Sequence, residues 1–212
     1  YSAVAWGDYD NDGRLDILLS GGSLTRIYRN QGGDNFSLSW AAPEELDQTS
    51  VAWGDFDNDG DLDILVMGVT NGVKSTTLYR NDGAMPNTPP SAPANLVAQP
   101  NGISARLAWT AATDAEQPSG LSYNVRLSTS PGTANRMPPG ADLATGWRRL
   151  PALGNAGERL FYTITNLSAG TYYWSVQAID HAFAGSVFAA EQSFTITLPV
   201  VTNQPQPQTL FA

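Results

Sequence analysis

Cysteine is absent from these 212 residues, which excludes disulfides, thiolate nucleophiles and cysteine-ligated zinc. There is one histidine, His181, with no nucleophile motif around it, so it reads as a loop residue rather than a catalyst or ligand. Basic residues are few, 11 Lys and Arg against 20 Asp and Glu, and they form no patch able to neutralise phosphates, so nucleic acid is not an expected partner. No apolar run is long enough to span a bilayer, and no membrane insertion is expected. No glycine-rich loop follows a strand and opens a helix, which leaves nucleotide binding without support. No signal segment is visible, and the chain opens on Tyr1 rather than Met, so a processed product or an excerpt of something longer is expected. Helical periodicity is scarce, whereas Thr, Val, Tyr and Trp alternate with polar residues. The fold class is therefore all-β, with room for one or two domains.

What the chain does have is a repeat. VAWGDYDNDGRLDILLS from Val4 returns as VAWGDFDNDGDLDILVM from Val51, 47 residues later. Each copy carries alternating aspartates closed by a glycine: Asp8, Asp10, Asp12 and Asp16 in the first, Asp55, Asp57, Asp59 and Asp63 in the second. Carboxylates at loop positions 1, 3 and 5 converge on one point only if the backbone curls tightly. Glycine at position 6 (Gly13, Gly60) permits that reversal. The carbonyl of position 7 (Arg14, Asp61) can then turn inward, so the side chains there are expected to be interchangeable. All-oxygen donors of this kind suit a hard cation, and two Ca²⁺ sites are expected; Mg²⁺ fits less well, since it favours fewer carboxylates and more water. An EF-hand would need a bidentate Glu at position 12, where this chain has Leu19 and Val66 inside short apolar strands. The competing reading, that Asp, Asn and Gly merely form turns, would have to explain the same four aspartates crowded together twice.

Nine of the 20 acidic residues lie in these two loops, counting Asp61, so the formal charge of −9 is mostly a metal site rather than a general surface field. Extracellular Ca²⁺ modules bind at roughly 10⁻⁴–10⁻³ M, so such loops would fill outside the cell. An extracellular or cell-surface location is therefore expected.

These segments resemble FG-GAP (VCBS-type) repeats, the blades of integrin-α-like β-propellers, on the strength of the D-x-D-x-D-G-x-x-D pattern and of IYRNQGG from Ile27 and LYRNDG from Leu78. The resemblance covers residues 1–85 and implies a four-stranded antiparallel unit per repeat, with Ca²⁺ in the hairpin between two strands. Two repeats are too few to close a propeller ring. Trp6 and Trp53, at matching places, are expected in the blade core.

A proline-rich linker follows at 86–93, and then short alternating strands over 94–198 argue a β-sandwich. Leu107 and Trp109 share a face, as do Tyr123, Val125 and Leu127; Leu160, Tyr162 and Ile164; Tyr172, Trp174, Val176 and Ala178; and Phe194 and Ile196. This half resembles a fibronectin type III domain through Trp109 and NLSAGTYYWSVQAID from Asn166. The resemblance implies a tyrosine corner at Tyr172, with a long Pro- and Gly-rich segment from Ser130 to Arg159 as the departure. The tail, 199–212, is rich in Pro and Gln and expected to be extended. Trp147 and Tyr173 are candidates for stacking on sugars, Arg148 and Arg149 are expected to be solvated, and Asn35 and Asn166 fit the N-glycosylation pattern.

Together these readings predict a non-enzymatic, calcium-stabilised extracellular structural or adhesive protein whose partners are copies of itself in a filament or other homo-oligomer. The alternatives are a module of a large adhesin that binds a glycan or surface protein, and an ancillary region of a secreted hydrolase.

Overall fold

A computed structural model describes residues 2–57, 59–83 and 85–198; the expected tail at 199–212 lies outside them. Each copy of the repeated sequence folds into its own antiparallel sheet. In the first, β1 (Ser2–Gly7), β2 (Asp16–Gly21), β3 (Leu24–Asn30) and β4 (Phe36–Ala41) lie side by side in chain order. In the second, β5 (Asp47–Gly54), β6 (Asp63–Thr70) and β7 (Val73–Tyr79) do the same. The register is identical: Val4 faces Leu19 and Trp6 faces Ile17, as Val51 faces Val66 and Trp53 faces Ile64. Near-identical sequence thus gives near-identical pairing.

The four strands per repeat implied by the resemblance appear only in the first copy. Among the described residues the second copy has three, because after Tyr79 the chain enters MPNTPPSAP, and proline has no N–H for the ladder. The two sheets share a core of Leu18, Ile27, Trp53, Ile64 and Val66. Trp53 is buried there as expected. Trp6 is half exposed instead, because among the described residues no second sheet covers the face of the first repeat on which it stands.

The second half has two three-stranded sheets. One is β11 (Phe161–Ile164), β9 (Ser104–Thr110) and β8 (Ala94–Asn101); the other is β10 (Ser122–Ser128), β12 (Gly170–Ile179) and β13 (Gln192–Ile196). The inward positions expected from period two, among them Leu107, Trp109, Val125, Trp174 and Ile196, form one core between the sheets. Leu160 lies just before β11 and is exposed, so the strand begins one residue later than its expected inward face. The Tyr172 hydroxyl donates to the Ser168 carbonyl at 3.1 Å, tying the turn before β12 to that strand. Segment 130–159 folds back over β10 through isolated bridges such as Leu127 to Met137, so every residue of β10 is buried on both faces.

The halves touch directly. Ala182 and Phe183, in the loop after β12, pack into the core of the repeats. The Asp8 N–H donates to the His181 carbonyl at 3.1 Å, and Asn87 Nδ2 donates to Asp180 Oδ2 at 2.9 Å.

Candidate metal centre

Both acidic loops sit in the hairpin between the first two strands of their repeat, 8–15 between β1 and β2 and 55–62 between β5 and β6. The closing glycines adopt left-handed conformations, φ 81° at Gly13 and 92° at Gly60, as the tight reversal requires. Gly13 has a further reason to lack a side chain: a Cβ there would collide with the Glu116 carbonyl and approach Gln117 Cα to 3.2 Å.

The backbone of each loop wraps its carboxylates in the same way. Asp8 accepts from the N–H groups of Asp12 (3.1 Å) and Gly13 (2.7 Å), and Asp55 from those of Asp59 (3.2 Å) and Gly60 (3.3 Å). Asp16 accepts from Tyr9 (3.1 Å) and Asn30 (2.7 Å), and Asp63 from Phe56 (2.9 Å) and Asn81 (2.8 Å). This fixes oxygens of Asp8, Asp10 and Asp16 within 4.8 Å of one another, and likewise those of Asp55, Asp57 and Asp63. Asp12 and Asp59 stand outside these triads and pair with arginines instead: Asp12 with Arg14 and Arg29, Asp59 with Arg80.

Arg29 and Arg80 are the functional side chains that sequence reasoning passed over. Each comes from the YRN triplet at the end of the third strand and reaches across the loop, Arg29 to Asp10 and Asp12, Arg80 to Asp57 (2.9 Å) and Asp59 (3.4 Å). The recurrence of YRN in both copies was the available signal. Arg14 and Asp61, expected to be interchangeable, are not: Arg14 pairs with Asp12, while the Asp61 side chain is buried and accepts from Asn11 Nδ2 at 2.7 Å.

Burial pushes the Asp8 carboxyl up to about 6 and that of Asp16 up to about 7, with smaller upward contributions from neighbouring carboxylates. Asp10, Asp61 and Asp63 are raised for the same leading reason. Arg29 and Arg80 compensate only part of each cluster's charge: they pair with Asp10 and Asp12, and with Asp57 and Asp59, and not with Asp8, Asp16 or Asp63. One observation tests whether a cation fits: Asp10 Oδ1 and its counterpart Asp57 Oδ1 are buried without a hydrogen-bond partner. An orphaned acceptor at the same place in two independent loops, among hard oxygen donors, fits a Ca²⁺ held by Asp8, Asp10 and Asp16, and by Asp55, Asp57 and Asp63.

His181 is a joint between the halves. Its Nδ1 lies 3.3 Å from the Gly13 carbonyl oxygen, its N–H donates to Gln117 Oε1 at 2.7 Å, and desolvation lowers its pKa. Trp147 is half exposed and, with Trp53, Phe56, Asp59, Arg149 and Phe183, lines a cleft of about 640 Å³ beside the second loop. Tyr173 lies on β12 and does not line it. Arg148, expected in solvent, is half buried and donates to the carbonyls of Pro139, Leu150 and Ala152, which orders the chain around Trp147.

Residues 8–66, the first loop through the second, match the FG-GAP-like repeat family. The chain is thus an all-β protein with one segment that matches FG-GAP-like repeats. No curated protein matches it. Among solved structures it is similar to a β-1,2-glucanase from Parabacteroides distasonis, with 18% identity, TM-score 0.36 and coverage of 65% of this chain and 18% of that one. It is also similar to domains A168-A170 from titin, with 15% identity, TM-score 0.35 and coverage of 85% and 57%. The chain spans less than two thirds of the length of either, and at these scores neither bears on what it does.

Proposed function

We propose that this chain is a non-enzymatic, Ca²⁺-stabilised extracellular structural or adhesive module that works as a subunit of a surface filament or other homo-oligomer. The observation that carries the metal reading is the matched pair of carboxylate triads, each with one buried aspartate oxygen left without a partner. Bound Ca²⁺ supplies positive charge to carboxylates whose own burial otherwise drives them towards protonation. Binding is then coupled to folding, since the unfolded chain holds no preformed site. A metal of millimolar to sub-millimolar affinity fits the outside of a cell, where such a site fills.

The assembly reading draws on unpaired strand edges. The first repeat ends on β4, whereas the second stops at β7, whose outer edge has no fourth strand among the described residues. A fibronectin type III-like second half, with the Tyr172 corner, serves as spacer and contact surface. Thermal melting tests the metal reading: Ca²⁺ raises the melting temperature and a chelator reverses the shift. Superimposable melting curves with and without chelator would overturn it.

A second reading has its own observation. The cleft beside the second loop presents Phe56 and Trp147, both exposed, next to Arg149, and so suits a glycan carried against aromatic faces. Screening the protein against polysaccharides tests it, with Trp147→Ala expected to abolish whatever binding appears; no binding to any of them would dismiss it.

A further inference from the structure

The two repeats bury opposite faces against each other, so equivalent residues meet opposite fates. Trp53 is 5% exposed, and its counterpart Trp6 is 50% exposed. Val66 is buried where its counterpart Leu19 is exposed. On the other face the order reverses. Ile27 is 4% exposed and its counterpart Leu78 is 45% exposed, while Leu18 is buried where Leu65 is not. The first repeat therefore leaves open the face that the second uses, and the second leaves open the face that the first uses. Open apolar sheet faces of this kind mark contact surfaces.

The internal joint has a knob and a socket. A Cβ on Gly7 would lie 2.8 Å from Leu62 Cδ1 and 3.0 Å from Trp53 Cδ1, so the missing side chain is the socket into which Leu62 and Trp53 fit. The knob recurs as Leu15 and Trp6, which line an open, largely apolar hollow with Leu153, His181 and Phe183 of the second half. The socket recurs as Gly54, where a Cβ would find no atom within 4 Å.

We propose that copies of this chain associate head to tail, with Trp6 and Leu15 of one copy seated on Gly54 and against Leu65, Met67 and Leu78 of the next. This rests on the reading of the chain as a subunit of a homo-oligomer and names the surface that joins the subunits. The occupant is a second copy because the chain carries both halves of the required contact, and its own internal joint shows that such halves fit. The two patches differ, so the contact is heterologous and propagates as an open filament or closes as a ring.

Sedimentation of the Ca²⁺-loaded chain across a concentration series tests this with two variants, Trp6→Glu and Gly54→Leu. Trp6 is half exposed and a Cβ on Gly54 would meet nothing within 4 Å, and unchanged melting temperatures check that both variants fold. The wild type is expected to form a ladder of larger species. Each variant alone is expected to stay monomeric, one without its knob and the other with its socket filled. Mixed together they are expected to form a 1:1 dimer and nothing larger, since one intact knob meets one intact socket. If the wild type associates and both variants associate equally well, the surface proposed here is wrong while the homo-oligomer reading stands. A wild type that remains monomeric throughout overturns both.

Discussion

Asn11, in the first acidic loop, donates from Nδ2 to Oδ1 of Asp61 in the second at 2.7 Å, and both side chains are buried. The same nitrogen also donates to the Met85 carbonyl at 2.8 Å. Returning the link, Asn81 Nδ2 donates to the Tyr9 carbonyl at 2.8 Å. The two loops are thus mechanically joined, and a change in one is felt by the other. Asn11→Ala removes the side-chain donor to a buried carboxylate that keeps only the backbone hydrogen bond from Gly83, and should cost about 1–3 kcal/mol, the penalty for leaving a buried group short of a partner. Urea unfolding in the presence of Ca²⁺ measures it; a loss of under half a kcal/mol would mean that the loops are independent.

Calorimetric titration should count two Ca²⁺ per chain. Asp10→Asn should leave one site and Asp57→Asn the other, because each removes the single carboxylate whose oxygen is buried without a partner. At a hundredfold excess over Kd each filled site stabilises the fold by about 2.7 kcal/mol, which sets the size of the melting shift that each variant should lose. Two sites surviving in both variants would rule out this assignment.

Gly7 and Gly54 occupy equivalent positions in the two repeats but different surroundings. Gly7→Ala drives a methyl into Leu62 and Trp53 and should destabilise by roughly 1–3 kcal/mol, the usual cost of overpacking. Gly54→Ala meets nothing and should stay within about 0.5 kcal/mol of the parent in the monomer. Equal effects on the chemical denaturation midpoint would show that the joint between the sheets is not packed as described.

Asp180 lies between the halves, held by Asn87 Nδ2 and by the Ala184 N–H at 2.8 Å, and burial raises its pKa to about 7. A carboxyl raised in the folded state binds its proton more tightly there than in the unfolded chain. Its contribution is therefore fully present below about 4 and is lost as pH rises towards 7, at no more than about 1.4 kcal/mol per pH unit. Stability measured from pH 4 to 7 at saturating Ca²⁺ should fall less steeply in Asp180→Asn than in the parent. Parallel profiles would exclude this group as the source of the slope.

The strands were legible where a single rule governed them. Alternation placed Val125, Leu127, Trp174 and Val176 inward, and all four lie in the core between the sheets, because successive side chains of a strand point to opposite faces. The acidic loops were legible because their spacing and closing glycines act over a few residues, and the backbone there has few ways to turn. Trp6 was misjudged because the same strand, with the same partner, is core or surface depending on what lies beyond the sheet, and no local pattern carries that information. Arg29 and Arg80 were missed for a related reason: an arginine two strands away reaches the loop only once the hairpins have folded.

The sequence by itself determined the repeat, the all-β class, the inward faces of the strands and the carboxylates that each loop would gather. All of these follow from backbone periodicity and turn sterics, which operate within one hairpin. Only the tertiary structure decided which aspartates converge and which are taken by arginine, that Asn11 clasps Asp61, that His181 and Phe183 dock one half on the other, and that each repeat exposes apolar residues on one face among the described residues. Those outcomes depend on distances between elements far apart in the chain, and such distances are set by how the sheets pack.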